Sequence, residues 1–116
     1  RMVFNVISRN CDDHTKNFAF RLKKDSEWEL APAYDICFAY SPDSTWVSQH
    51  NLSLNGKRKD ITKEDLLMVA KAMNIKRADN IIKQISDTVN KWNAFAEITS
   101  VEERLKEKIK NSHLIL

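Results

Sequence analysis

The sequence predicts an α+β fold that is mainly helical. A dense apolar segment opens the chain, two short runs alternate at period two around Lys23-Lys24-Asp25-Ser26, and apolar residues recur at helical spacing from residue 62 onward. With 116 residues the chain can bury roughly two-thirds of its unfolded surface, enough for one core. The expected organisation is a single domain over residues 1–116, with loop and hairpin in residues 1–60 and helices in residues 61–116.

Met2, Val3, Phe4, Val6 and Ile7 crowd the first segment, so a helix there must be covered on most sides. Residues 18–22 and 27–30 are the strands of the expected hairpin, and Pro32, which cannot donate to a ladder, suits the exit of the second. The next stretch is less regular. Residues 46–50 and 52–54 are read as short strands, Asn55-Gly56 as a tight turn and residues 41–44 as a loop. Thr62-Lys63-Glu64-Asp65 resembles a capping box with Asp in place of Glu, ahead of Leu66, Leu67, Val69, Ala70 and Met73. A second helix is expected to run unbroken through Ala78, Ile81, Ile82, Ile85, Val89, Trp92, Phe95 and Ala96. A third starts at Ser100 and carries Leu105 and Ile109. These stripes are read as core packing that braces the first 60 residues, not as a cofactor pocket.

Composition removes several classes of function. A hydrophobic share of 42% and a charged share of 30% belong to an ordinary globular domain. No apolar run approaches the roughly 20 residues that span a bilayer, and no secretory leader is recognisable, so a cytoplasmic protein without a membrane partner is expected. The 19 basic residues are spread among 16 acidic ones, which is not the one-sided charge of a nucleic-acid module. Lys57-Arg58-Lys59 is the densest basic cluster and reads as a solvated loop. Cys11 and Cys37 are too few for a disulfide scaffold and form no C-x-x-C, so free buried thiols are expected.

The chemistry is concentrated in Asn10-Cys11-Asp12-Asp13-His14-Thr15-Lys16-Asn17 and in Leu30-Ala31-Pro32-Ala33-Tyr34-Asp35. Phosphoryl transfer from ATP requires a carboxylate to receive the attacking hydroxyl's proton, with an Asn and a second carboxylate to hold Mg²⁺ against the triphosphate. Asp12, Asn17 and Asp35 are residues of those three types. Asp12 and Asn17 have the Asp-to-Asn separation of the kinase loop H-R-D-x-x-x-x-N. The hairpin between Asn17 and Asp35 would bring the two ligands back together.

The opening Arg1-Met2-Val3-Phe4-Asn5-Val6-Ile7, the N-x-D-D-H-x-K-N run, W-x-L-A-P-A-Y-D from Trp28 to Asp35, and His50-Asn51-Leu52-Ser53-Leu54-Asn55-Gly56-Lys57 together resemble the C-terminal lobe of HipA-type serine/threonine kinases. Those kinases are related to lipid kinases and are toxins of bacterial toxin–antitoxin pairs, associated with persistence. The likeness runs through nearly the whole chain and is sharpest over residues 1–36. It implies that Asp12 is the catalytic base and that Asn17 and Asp35 are Mg²⁺ ligands. It also implies that His14 orients Asp12 or meets the transferring phosphate as a cation, with Lys16 as a second contact to the ATP phosphates. Cys11 stands where the family usually has Thr, and Tyr34-Asp35-Ile36 replaces D-F-G. His50 is expected to make structural hydrogen bonds. The partners implied are an N-terminal kinase lobe, a DNA-binding antitoxin and a protein substrate such as an aminoacyl-tRNA synthetase, with DNA contact at most indirect.

Gly56 is the only glycine, so the chain holds neither a Gly-rich loop nor a G-x-x-x-x-G-K-[ST] motif to cover nucleotide phosphates. Its opening on Arg1-Met2-Val3-Phe4 reads as the middle of a helix. The expectation is a fragment that carries catalytic residues and is inactive alone. Two other classes compete: a non-catalytic module that keeps the fold for antitoxin or DNA contact, and a metal-dependent hydrolase using Asp12, Asp13 and His14 as ligands. The intact Asp12, Asn17 and Asp35 weigh against the first. The second is weakened because adjacent carboxylates point in opposite directions along an extended chain.

Overall fold

The apolar opening segment forms α1 (Met2–Ser8) in the computed structural model, which describes residues 1–116. Asn5, Val6 and Ile7 are its buried residues, and the helix stops at Arg9, whose φ of 60° closes it with backbone bonds to Asn5 and Val6. This short helix is the spine of the molecule. Val6 packs in a core cluster with Leu54, Ile61, Leu66 and Ile82, flanked by Met2, Val3, Leu67, Val69, Leu114 and Leu116. The C-terminal segment returns to it through the Leu114 amide, which donates to the Ile7 carbonyl at 3.0 Å.

After a 3₁₀ turn at Thr15–Asn17, β1 (Phe20–Leu22) and β2 (Trp28–Leu30) pair antiparallel, with Phe20 opposite Leu30, Arg21 opposite Glu29 and Leu22 opposite Trp28. Both strands are shorter than the sequence pattern suggests. Period-two alternation sorts Phe20, Leu22, Trp28 and Leu30 to one face, where all four are exposed. Arg21 and Lys23 pair with Glu29 on the other.

Residues 46–50 and 52–54 do not form the expected strands. Their backbone groups are taken by other partners: Ser44 Oγ accepts from the amides of Trp46 and Val47, the His50 amide donates to the Arg58 carbonyl, and the Asn51 and Leu52 amides donate to Asp13. Only an isolated bridge between Leu54 and Lys57 remains, closed by the tight turn at Asn55-Gly56, where φ is 50° and 77°.

α2 (Lys63–Ala72) starts at the anticipated capping box, with Thr62 Oγ1 accepting from the Asp65 amide and the Asp65 carboxylate accepting from the Thr62 amide at 2.9 Å. Lys57, the Thr62 amide and Asn55 together hold the Asp65 carboxyl well below the usual range. The expected second helix is broken in two, α3 (Ala78–Val89) and α4 (Trp92–Ile98). At the break the Lys91 amide turns back to the Thr88 carbonyl, and Trp92 swings onto the last helix, its Nε1 donating to the Lys106 carbonyl at 3.0 Å. α5 (Glu103–Ser112) begins later than expected, because Ser100, at φ 55°, closes α4 instead of capping α5. Cys11 is buried as expected, whereas Cys37 is exposed, and both are free. No helix is long and apolar enough to cross a membrane.

Candidate functional site

α1 delivers the chain into residues 10–14, which have almost no regular structure and are instead pinned from several sides. Asn10 bridges Ala39 in parallel, the Cys11 amide donates to the Ala39 carbonyl at 3.0 Å, and Asn10 Nδ2 reaches both Asn5 Oδ1 and the Asp35 carbonyl at 3.3 Å. Asn10 is 1% exposed, so each of these bonds is made away from competing water.

The two adjacent carboxylates part company. Asp13 turns inward, where its Oδ2 meets His50 Nδ1 at 3.0 Å and its Oδ1 accepts from the amides of Asn51 at 2.8 Å and Leu52 at 3.2 Å. Asp12 turns outward, with 45% of its side chain exposed. Asp12 Oδ1 lies 3.4 Å from Asn51 Nδ2 and 3.7 Å from His14 Nε2, while Oδ2 has no protein partner. The trio Asp12, Asp13 and His14 is therefore not assembled as a ligand set, and no three His, Cys, Asp or Glu residues cluster in metal-holding geometry.

Burial opposes charge on His50, but hydrogen bonding to Asp13 and the nearby Cys11 thiol outweigh it and push its pKa up to about 9. His50 is 1% exposed and Asp13 7%, so this is a buried ion pair under the loop. His50 Nε2 is left without a conventional hydrogen-bond partner.

Asn17 ends the 3₁₀ turn, and its Nδ2 donates to the Asp12 carbonyl at 2.9 Å, which leaves Oδ1 free to face a cation. Lys16 is exposed and takes part in none of the ion pairs; its carbonyl accepts from the Tyr34 hydroxyl at 2.6 Å. The Arg1 guanidinium clips both ends of the hairpin, donating to the carbonyls of Asn17 and Ala31 at 3.1 Å each. Asp35 is exposed, with a φ of 53° that Asp tolerates better than most residues. Bonds from Arg1 and from Tyr34 thus tie the two sides of the hairpin together, and Asn10 holds the Asp35 carbonyl to the end of α1. The Cys37 thiol is pushed up by partial desolvation and then by the charges of Asp35 and Asp12.

Asn17 Oδ1 and the Asp35 carboxylate are hard oxygen donors with no competing protein partner. Mg²⁺ takes oxygen donors of this kind, one or two from carboxylates, with water and phosphate oxygens completing its shell. The site is an open surface. A cavity of about 250 Å³ lies to one side, lined by Phe4, Ile36, Phe38, Val89, Trp92 and Ile109 among others. Its lining is mostly apolar and holds none of the carboxylates.

The sequence motifs contain Arg1, Asn10, Tyr34 and Asn51 but assign them no supporting role. The signal for Asn51 was the His50-Asn51 pair ahead of the Asn55-Gly56 turn, and nothing in the local pattern points it toward a loop 39 residues away.

Comparison with curated proteins and with solved structures gave no match. A family profile described as HipA-like C-terminal domain matches residues 1–92, from the start of α1 to the first residue of α4, and the chain accordingly belongs to the HipA-like C-terminal domain family.

Proposed function

We propose that the chain is the C-terminal part of a serine/threonine protein kinase that transfers the γ-phosphoryl group of Mg-ATP to a protein hydroxyl. The observation that carries this reading is the bond from Asn17 Nδ2 to the Asp12 carbonyl. It frees Asn17 Oδ1 for a cation beside a carboxylate whose Oδ2 is unengaged. In the proposed reaction the substrate hydroxyl attacks the γ-phosphorus, the bond to the β-phosphate bridging oxygen breaks, and Asp12 Oδ2 takes the hydroxyl proton. Asn17 and Asp35 would hold Mg²⁺, which when bound supplies positive charge against the triphosphate. In this reading His14, beside Asp12, and the exposed Lys16 would meet phosphate oxygens.

With Gly56 as its only glycine, the chain has no loop to close over a nucleotide, so an N-terminal lobe would supply the cradle. The toxin role, a DNA-binding antitoxin, an aminoacyl-tRNA synthetase as substrate and a cytoplasmic location rest on family analogy alone.

The test is a phosphorylation assay with labelled ATP. The purified 116-residue chain should show no turnover, and the whole kinase should lose about 10²- to 10⁴-fold on Asp12→Asn. Robust turnover by the chain alone would sink the partial-catalyst reading, and an active Asp12→Asn enzyme would remove Asp12 as the base.

A further inference from the structure

A half-exposed carboxylate on an irregular loop needs something to fix its direction, and Asp12 gets little help from its own neighbours. His14 Nε2 stands 3.7 Å from Asp12 Oδ1, too far for a hydrogen bond. The approach that meets hydrogen-bond criteria comes from the other side of the chain, where Asn51 Nδ2 lies 3.4 Å from the same oxygen. That distance is long, as catalytic contacts often are before substrate arrives.

Asn51 itself has little freedom. Its amide donates to Asp13 Oδ1 at 2.8 Å and to the Cys11 carbonyl at 3.1 Å, and its Nδ2 also donates to the Cys11 carbonyl at 3.0 Å. Residues 11 to 13 and 50 to 52 are therefore sewn together by backbone and side-chain bonds. The buried Asp13–His50 pair lies beneath the seam, and Arg58 Nε caps the His50 carbonyl. Every anchor of Asn51 is on the loop that carries Asp12.

We propose that Asn51 is the positioning residue of Asp12: its side-chain amide pins Oδ1, and this leaves Oδ2 as the oxygen that meets the substrate hydroxyl. The inference rests on the kinase reading of Asp12. A carboxylate that rotated freely would present the wrong oxygen, or none, for part of the time, and a misplacement of the order of 1 Å at a reacting group can cost about 100-fold in rate.

Two measurements test it. In the 116-residue chain, Asp12→Asn should shift the Asn51 side-chain amide resonances, whereas Asp25→Asn on the exposed hairpin turn should not. In the whole kinase, Asn51→Ala should lower kcat about 10- to 100-fold while the KM for ATP stays within about twofold, the signature of lost orientation and not lost binding. Asn51→Asp keeps the shape of the side chain but replaces the donor with a like charge facing Asp12. It should lower kcat at least as far, whereas a space-filling role would be retained. An unmoved Asn51 amide in the Asp12→Asn chain overturns the contact. Near-wild-type kcat in both Asn51 variants of a kinase that Asp12→Asn silences overturns the positioning role and leaves the kinase reading standing. If Asp12→Asn is itself active, the kinase reading of Asp12 falls and the inference falls with it.

Discussion

In residues 61–116 the buried side chains are Ile61, Leu66, Ala70, Ile82, Val89, Ala96 and Ile109, joined only by Asp65 and Lys106 among polar groups. In residues 1–60 Asn5, Asn10, Asp13 and His50 are buried beside Val6, Ile7, Cys11 and Leu54. The two regions are held by different physics. Apolar burial is non-directional, so it keeps helices together and tolerates small shifts in how they sit. Buried polar groups must find partners at fixed distances and angles, and failure to do so is costly, so they fix positions as well as proximity. The loop that carries Asp12 and Asn17 has no helix or sheet to define it, and the polar network takes over that task.

The largest expected effect breaks the network at its root. Asp13→Ala would strand the His50 charge in the interior and orphan the amides of Asn51 and Leu52. Removing one partner of a buried ion pair costs about 3–5 kcal/mol, so urea unfolding should show a loss of that order. A loss below about 1 kcal/mol would mean that the pair is dispensable and that the comparison between the regions is overdrawn.

Leu66→Ala is the matching change in the helical region. Leu66 is 2% exposed in the cluster that joins α1, α2 and α3. Deleting its side chain should cost about 2–5 kcal/mol, comparable in stability to the polar break. Local order should separate the two. Hydrogen exchange of residues 10–14 and 49–52 should rise sharply in Asp13→Ala beyond its global loss, whereas Leu66→Ala should raise exchange broadly.

A third difference lies in pH. The His50 pKa rises from 6.5 to about 9 on folding, so the folded state holds this proton more tightly than the unfolded chain. The stabilisation is fully present below about pH 6.5 and is lost as pH climbs through about 9. Thermal melts should therefore fall across that window, and Asp13→Ala should flatten the fall. An unchanged slope in the variant would show that His50 is not the group responsible.

The same contrast explains what could be read from sequence. Helices declare themselves through spacing, and Leu66, Ala70 and Ile82 were legible as core, whereas Met73, Ile81, Phe95 and Leu105 of the same stripes are exposed. The break between α3 and α4 was not, because Trp92 keeps the apolar period while its indole turns to the Lys106 carbonyl. The hairpin was visible through alternation, yet the supposed strands at residues 46–54 were misread, since their amides are claimed by Ser44 and Asp13 and not by a neighbouring strand. Asp12, Asn17 and Asp35 stood out as a motif of residue types. Their setting was hidden, because a hydrogen bond between residues 12 and 51 leaves no periodic trace in the chain.

The smallest expected effect sharpens the comparison from the opposite end. Lys83 and Asp87 lie one turn apart on the outer face of α3, with Nζ 2.7 Å from the carboxylate and side chains 75% and 58% exposed. That distance is shorter than the one between His50 and Asp13, so distance alone would rank this pair as the stronger. Water decides otherwise: exposed helix pairs at this spacing contribute about 0.3–0.5 kcal/mol, because solvent screens the charges and ordering two long side chains opposes the gain. Lys83→Ala should lower stability by no more than about 0.5 kcal/mol, and by less in about 0.5 M salt, where a Debye length of roughly 4 Å weakens the pair further. A loss near that of Asp13→Ala would show that burial is not what separates the two pairs, and the polar network beneath Asp12 would lose its claim to be the part of this molecule that fixes geometry.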